Sequence, residues 1–172
     1  MKRFKNYWLA MILLLGMVPV VSSCDDDDDD DADPGANEVR YDDIALTASA
    51  EIQTPPVTSN GTGELDASYN MDTKRITYVI TWRLGNSDDQ TVGMHFHGPA
   101  STTENASIVI EIPLVGAGGY NQNTGSAPSS GTVSGQTRAL SEAEEEQLLG
   151  GLWYLNIHSS TYPNGELRGQ VQ

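Results

Sequence analysis

Hydrophobic and polar residues alternate in short segments from about Val39 to the C-terminus, and turn residues separate these segments. The clearest segment is 76–84, in which every second residue from Ile76 to Leu84 is apolar. A repeat of two places alternate side chains on opposite faces, which predicts a β-strand with one buried face. The same pattern predicts further strands, the first of them weaker, at 44–52, 108–112, 152–158 and 167–171.

Clusters of Gly, Pro, Asn, Asp and Ser between the strands have the composition of turns. The longest of them, Gly116–Gly131, predicts a mobile loop. One short helix is expected at 141–149, because Ser141 and Glu144 have the spacing of a capping box. Many short strands with one helix predict an all-β domain over residues 39–172, either a sandwich or a barrel.

The first 23 residues follow a different pattern. Basic residues occur within 1–6, an apolar stretch runs from Tyr7 to Val21, and small residues precede Cys24. This order is typical of a secretory signal peptide. The alternative is an uncleaved anchor, but a membrane-spanning helix needs about 20 apolar residues and this stretch is shorter.

Cys24 is the only cysteine of the chain, so the chain can form no internal disulfide. The segment Val21-Ser22-Ser23-Cys24 resembles the lipobox of bacterial lipoproteins. That resemblance implies cleavage before Cys24 and attachment of lipid to it. Fatty acyl chains such as palmitate would then hold the protein at a membrane.

Seven consecutive aspartates, residues 25–31, follow the cysteine, and Asp33 adds another negative charge. Because like charges repel and nothing here can be buried, residues 24–38 are expected to form a disordered tether. Calcium binding is the alternative, but a calcium site also needs carbonyl ligands around a turn. The run resembles the acidic export signal of some Gram-negative lipoproteins. It implies an outer-membrane protein displayed at the cell surface, with the periplasmic face as the alternative.

The formal net charge is −15, from 9 Lys and Arg against 24 Asp and Glu. This balance argues against a nucleic-acid partner, because phosphate recognition needs clustered basic residues. The chain also contains no GxSxG, GxGxxG, P-loop or HExxH motif. We therefore expect a protein that is not an enzyme.

All three histidines of the chain, His95, His97 and His158, fall in the predicted β domain. His95 and His97 are two residues apart and share a strand face, opposite Met94 and Phe96. His158 also lies opposite the apolar face of its strand. If the two strands are neighbours, the imidazoles could bind one zinc or copper ion with an open coordination position. Alternatively, these histidines form hydrogen bonds that tie strand ends to loops.

Three motifs occur in order at 95–100 (His-Phe-His-Gly-Pro-Ala), 155–159 (Leu-Asn-Ile-His-Ser) and 163–170 (Pro-Asn-Gly-Glu-Leu-Arg-Gly-Gln). They resemble the signature of the CHRD domain, which is named after chordin and also occurs in secreted bacterial proteins. The match covers about 44–172. It implies an immunoglobulin-like antiparallel β-sandwich that acts as a non-enzymatic extracytoplasmic binding module. The expected partner is a protein or a surface polymer, and the domain is expected to be a monomer.

Asn156, Glu166 and Arg168 are the polar residues within these motifs that we consider candidates for a structural or binding role. Glu166 and Arg168 are two residues apart and share a strand face. An ion pair between them would fix the last hairpin.

The segment His95-Phe96-His97 is also similar to the copper-ligand strand of copper–zinc superoxide dismutases, which are Greek-key β-sandwiches. The chain has too few histidines for a copper–zinc centre and lacks the cysteines of their disulfide. Dismutase activity is therefore not expected, whereas a single mononuclear metal site remains open.

Overall fold

The computed structural model describes residues 37–172. The predicted signal peptide, Cys24 and nearly all of the predicted tether lie outside the described residues. Within residues 37–172, no helix has the length and hydropathy needed to cross a bilayer.

Eight antiparallel strands form one sheet in the order β5-β4-β7-β8-β1-β2-β3-β6. In chain order the strands are β1 (Glu38–Thr47), β2 (Thr62–Asn70), β3 (Arg75–Arg83), β4 (Thr91–His97), β5 (Ile108–Glu111), β6 (Ser130–Gln136), β7 (Trp153–Ser159) and β8 (Leu167–Val171). One helix, α1 (Glu142–Leu149), and two 3-10 turns, Ala48–Ala50 and Leu114–Gly116, complete the described elements. The all-β, sandwich-like fold class predicted from the alternation is confirmed.

The sheet curls so that its two halves face each other. Within the described residues, β8 and β1 connect the halves through one residue pair in register, Thr47 with Arg168. On the inner face, the ring of Phe96 on β4 packs edge-on against Tyr78 on β3, with centroids 6.3 Å apart. One continuous core therefore lies between the halves, as it does between the two sheets of a sandwich.

The alternation in β3 is confirmed, because Ile76, Tyr78 and Ile80 are buried while their neighbours are more exposed. The half that contains β7 and β8 differs, since nearly every residue of these two strands is buried. A strand with both faces buried must have its outer face covered by other parts of the chain. This covering produces the candidate site described below.

The first strand is displaced from its predicted position at 44–52. β1 runs from Glu38 to Thr47, with an irregularity between Tyr41 and Ile44. The chain then leaves the sheet in a 3-10 turn, and Glu51 makes a side-chain contact with β7. The segment Ala48-Ser49-Ala50 contains only small residues, and its weak alternation gives no indication of this departure.

Strands β2 and β6 were not predicted, because small residues weaken their alternation. The second of them begins inside the predicted loop Gly116–Gly131. Part of that loop is also bound to β4, since Ala127 is buried and pairs with Thr91 through two backbone hydrogen bonds of 2.9 Å. The mobility of the rest of the loop stays a prediction.

The predicted helix is confirmed with its capping box. The Ser141 hydroxyl accepts from the Glu144 amide, and the Glu144 carboxylate accepts from the Ser141 amide. Lys74 binds Glu145 at 2.6 Å, which attaches the helix to the β2–β3 turn. Leu148 is fully buried, so the helix contributes to the core.

We expect Phe96→Ala to lower the free energy of unfolding by about 3–5 kcal/mol, because it empties a site at the contact between the halves. Val79→Ala, on the outward face of β3, is the matched control and should cost less than about 1 kcal/mol. Urea unfolding followed by tryptophan fluorescence measures both changes. Equal losses in the two variants would contradict the assigned core.

Candidate functional site

The outward face of β4, β7 and β8 carries a continuous set of polar and aromatic side chains, which we call the polar face. Residues directly opposite each other on neighbouring strands share a face of the sheet. The register pairs are Gly93 with His158, His95 with Asn156, His97 with Tyr154, Asn156 with Arg168, and Tyr154 with Gln170. Met94 and Phe96 point into the core, as predicted.

The three histidines converge on the polar face, because β4 and β7 are neighbours in the sheet. His95 Nδ1 lies 3.1 Å from His158 Nε2. The centroid of the His97 ring is 5.6 Å from that of His95 and 6.2 Å from that of His158. One ring nitrogen from each residue lies within 4.8 Å of the other two. The predicted convergence of the imidazoles is therefore present.

Backbone carbonyls determine which nitrogens carry protons. His97 Nδ1 donates to the Ala106 carbonyl at 3.0 Å, and His158 Nδ1 donates to the Pro163 carbonyl at 2.9 Å. A carbonyl only accepts, so in both neutral rings the lone pair is on Nε2. His158 Nε2 then accepts from His95 Nδ1, while His97 Nε2 is buried with no hydrogen-bond partner.

The environment favours the neutral form of all three rings. Burial, followed by the neighbouring His158 and His97, lowers the pKa of His95 to about 4. Burial is also the main cause that lowers the pKa of His97 and of His158. Neutral imidazoles keep the lone pairs that a transition metal needs.

Tyr154 lies between a histidine and an arginine. The His97 ring stacks on it with centroids 4.9 Å apart and planes 5° apart. The guanidinium carbon of Arg168 lies 3.5 Å from the centre of the same ring, in cation–π geometry. Arg168 also donates to the Asn105 side chain at 3.1 Å and to the Ser101 carbonyl at 3.0 Å. These contacts fix the loop before β5 over the polar face.

Glu51 is the site residue that sequence reasoning missed. It follows the first 3-10 turn, and its carboxylate accepts from the Asn156 side chain. Burial raises the pKa of Glu51 to about 7, although the positive charge of Arg168 and hydrogen bonds from Gln53 and Asn156 oppose this shift. Glu51 and Asn156 are far apart in the sequence, and no local pattern indicates that they meet.

A cleft of about 330 Å³ opens beside these groups. Residues from five separate segments line it, including Glu51, Gln53, Asn105, His97, Tyr154 and Asn164. Amide side chains predominate, with one carboxylate and one histidine. The cleft therefore offers mainly neutral hydrogen-bonding groups.

The expected ion pair between Glu166 and Arg168 is not among the ion pairs of residues 37–172. Glu166 Oε1 accepts from the Ser59 hydroxyl at 2.6 Å and from the Gly85 amide at 2.8 Å. Its carboxylate therefore connects the start of β8 to two turns, whereas Arg168 faces Tyr154 and Asn105. The prediction was wrong because partners distant in sequence bind both residues.

The elevated pKa of Glu51 predicts a stability that depends on pH. The folded-state pKa of about 7 exceeds the ordinary 4.5, so the folded protein retains this proton while the unfolded chain has lost it. The free energy of unfolding should therefore fall as pH rises from about 4.5 to about 7. In Glu51→Gln, the decrease in the free energy of unfolding between these two pH values should be smaller by about 1–3 kcal/mol.

Chemical denaturation at several pH values measures this slope. Glu142→Gln, at an exposed glutamate of α1, is the matched control for the loss of one negative charge. An unchanged slope in Glu51→Gln would contradict the assignment.

The polar face and its cleft lie within a range of the chain that matches a known family. The family model of the CHRD domain matches residues 43–171. No curated protein and no solved structure matches the chain. The matched range contains the second half of β1, all of β2 to β8 and the three histidines, so the resemblance inferred from the motifs is confirmed. The chain therefore belongs to the CHRD domain family.

Proposed function

We propose that this chain is a non-enzymatic extracytoplasmic binding module, with the cleft on the polar face as its ligand-binding site. Membership of the CHRD family supports an extracellular binding or interaction role. The finer parts of the proposal are lipid attachment at Cys24, an outer-membrane location with display at the surface, and a monomeric domain. The apolar stretch, the small residues before Cys24 and the aspartate run support lipid attachment and the outer-membrane location.

The cleft carries the proposal, because it combines buried polar groups with amides at its rim. Tyr154 and Asn156 at its base are buried, while Asn105 and Asn164 are exposed. Buried polar groups cost folding free energy unless they are paired, and here hydrogen bonds within the protein fix their positions. Such preorganised sites bind ligands with a smaller entropic cost.

The amides favour a surface polymer rich in hydroxyl groups, such as a polysaccharide. Amide side chains both donate and accept hydrogen bonds, which matches the dual character of a hydroxyl group. Neither the tether nor the body, both acidic, would attract an anionic polymer. We therefore propose a neutral polysaccharide as the ligand.

Lipid attachment is tested with Cys24→Ala. This variant should lose labelling by a radioactive or clickable fatty acid and should leave the membrane fraction, since the thiol that carries the lipid is gone. Ser22→Ala is the matched control and should keep both properties. Membrane retention of Cys24→Ala would instead indicate an uncleaved anchor.

Surface display is tested by replacing Asp25–Asp31 with asparagines. The lipid label should remain, while digestion of intact cells by an added protease should no longer remove the protein, because the acidic export signal is lost. The unaltered chain should be digested. Protection of the unaltered chain would contradict surface display.

Ligand binding is tested by affinity electrophoresis through gels that contain neutral polysaccharide from the cell surface. Gln53→Ala combined with Asn164→Ala should weaken retention at least about tenfold, since both side chains line the cleft. Gln136→Ala is the matched control, because Gln136 lies on β6, the edge strand farther from β4 and β7, which line the cleft. Equal retention of all variants, or capture of a protein partner by cross-linking in place of polymer, would contradict the proposal.

A further inference from the structure

We propose that His95, His97 and His158 together bind one transition-metal ion of the zinc or copper class. This inference goes beyond polymer binding and does not depend on it. It rests on the positions of three imidazole nitrogens, on the absence of a side chain at Gly93, and on the buried, unpaired Nε2 of His97.

The hydrogen bonds outside the cluster prepare the nitrogens for a metal. In metalloproteins, a ligating histidine usually donates its other ring N–H to a carbonyl or carboxylate, which fixes the ring orientation and the tautomer. His97 and His158 make this type of bond, to the Ala106 and Pro163 carbonyls. Both Nε2 atoms therefore carry a lone pair in place of a proton and are directed away from these carbonyls.

His97 Nε2 is buried and makes no hydrogen bond, so a role in hydrogen bonding does not explain its position. A buried acceptor without a partner destabilises the folded state, because it has lost its hydrogen bonds to water. His95 and His158 satisfy each other across 3.1 Å, whereas His97 Nε2 accepts from no group in the described chain. If the cluster served only to tie strand ends to loops, this nitrogen would have no function.

The spacing of the nitrogens suits a single ion. Zinc–nitrogen bonds of about 2.0–2.1 Å in tetrahedral geometry place two ligand nitrogens roughly 3.4 Å apart. His95 Nδ1 and His158 Nε2 are 3.1 Å apart, and all three donor atoms lie within 4.8 Å of one another. Small side-chain rotations complete the geometry. The ion would take the place of the proton on His95 Nδ1, which is hydrogen-bonded to His158 Nε2. That proton would move to Nε2 of His95.

Gly93 provides the space that this arrangement needs. A Cβ at this position would lie 3.0 Å from His95 Cε1 and 3.6 Å from His158 Cδ2. Any side chain here would therefore press on the His95 ring. Gly93 is opposite His158 in the register, and the missing side chain leaves room for two imidazoles on adjacent strands.

The donor set identifies the class of ion. Three neutral imidazoles suit zinc and copper, whereas calcium and magnesium require oxygen ligands. No carboxylate belongs to this cluster of donors in the described residues. Three protein ligands leave one position of a four-coordinate ion for water or an external ligand.

The test is titration of Zn²⁺, and separately Cu²⁺, into the full-length chain purified in detergent. Cys24→Ala serves as the parent, which removes the one thiol that could compete for the ion. We expect one equivalent to bind with a Kd below about 1 μM. The parent with His97→Gln and His158→Gln should bind at least a hundredfold more weakly. Both proteins keep the aspartate run, so weak binding to those carboxylates cancels in the comparison.

A pair of glycine variants tests the geometry without removing a donor. Gly93→Ala should weaken binding at least about tenfold, because the methyl group displaces the His95 ring. Gly118→Ala should not, since a Cβ there would contact nothing within 4 Å. Circular dichroism and tryptophan fluorescence verify that each variant is folded.

Imidazole ¹⁵N spectra identify the ligands directly, because the chain contains only these three histidines. Zinc should shift one nitrogen of each ring. Absence of binding at 10 μM metal (about tenfold above the expected limit), unchanged affinity in the double histidine variant or in Gly93→Ala, or unshifted imidazole nitrogens would each overturn the proposal.

Discussion

The outward face of β7 and β8 is buried, and its polar side chains must therefore find partners inside the protein. Asn156 binds Glu51, and Arg168 binds Tyr154, Asn105 and the Ser101 carbonyl. These bonds hold the 3-10 turn after β1 and the loop before β5 against the sheet. The buried polar side chains cannot bind water, so they bind these two covering segments instead and thereby fix their positions.

The same burial determines the chemistry of the site. Removal of water lowers the pKa of the three histidines and raises that of Glu51, so that uncharged forms are favoured in both cases. A neutral imidazole is a metal ligand, and a protonated carboxyl group is a hydrogen-bond donor. Apart from Arg168, the polar face consequently offers mainly neutral groups in a protein that is strongly acidic.

Periodicity and local motifs predicted those features that depend on neighbours in the sequence. The strand around Ile76–Leu84, the capped helix and the shared face of His95 and His97 follow from periods of two and from a four-residue motif. The convergence of His158 with His95 and His97 depended on one further condition, that β4 and β7 are neighbours in the sheet. The contacts of Glu51, Glu166 and Arg168 could not be predicted, because each of these residues has a contact that involves a turn or loop whose path is determined by the complete fold.

The strand that connects the two halves of the sheet is also the last strand of the chain. β8 pairs with β1 at Thr47, so the first and last strands meet only when nearly the entire domain has been made. Contacts so distant in sequence form slowly, because closing the intervening chain costs entropy. The core between the two halves of the sheet therefore cannot close until β8 has been synthesised.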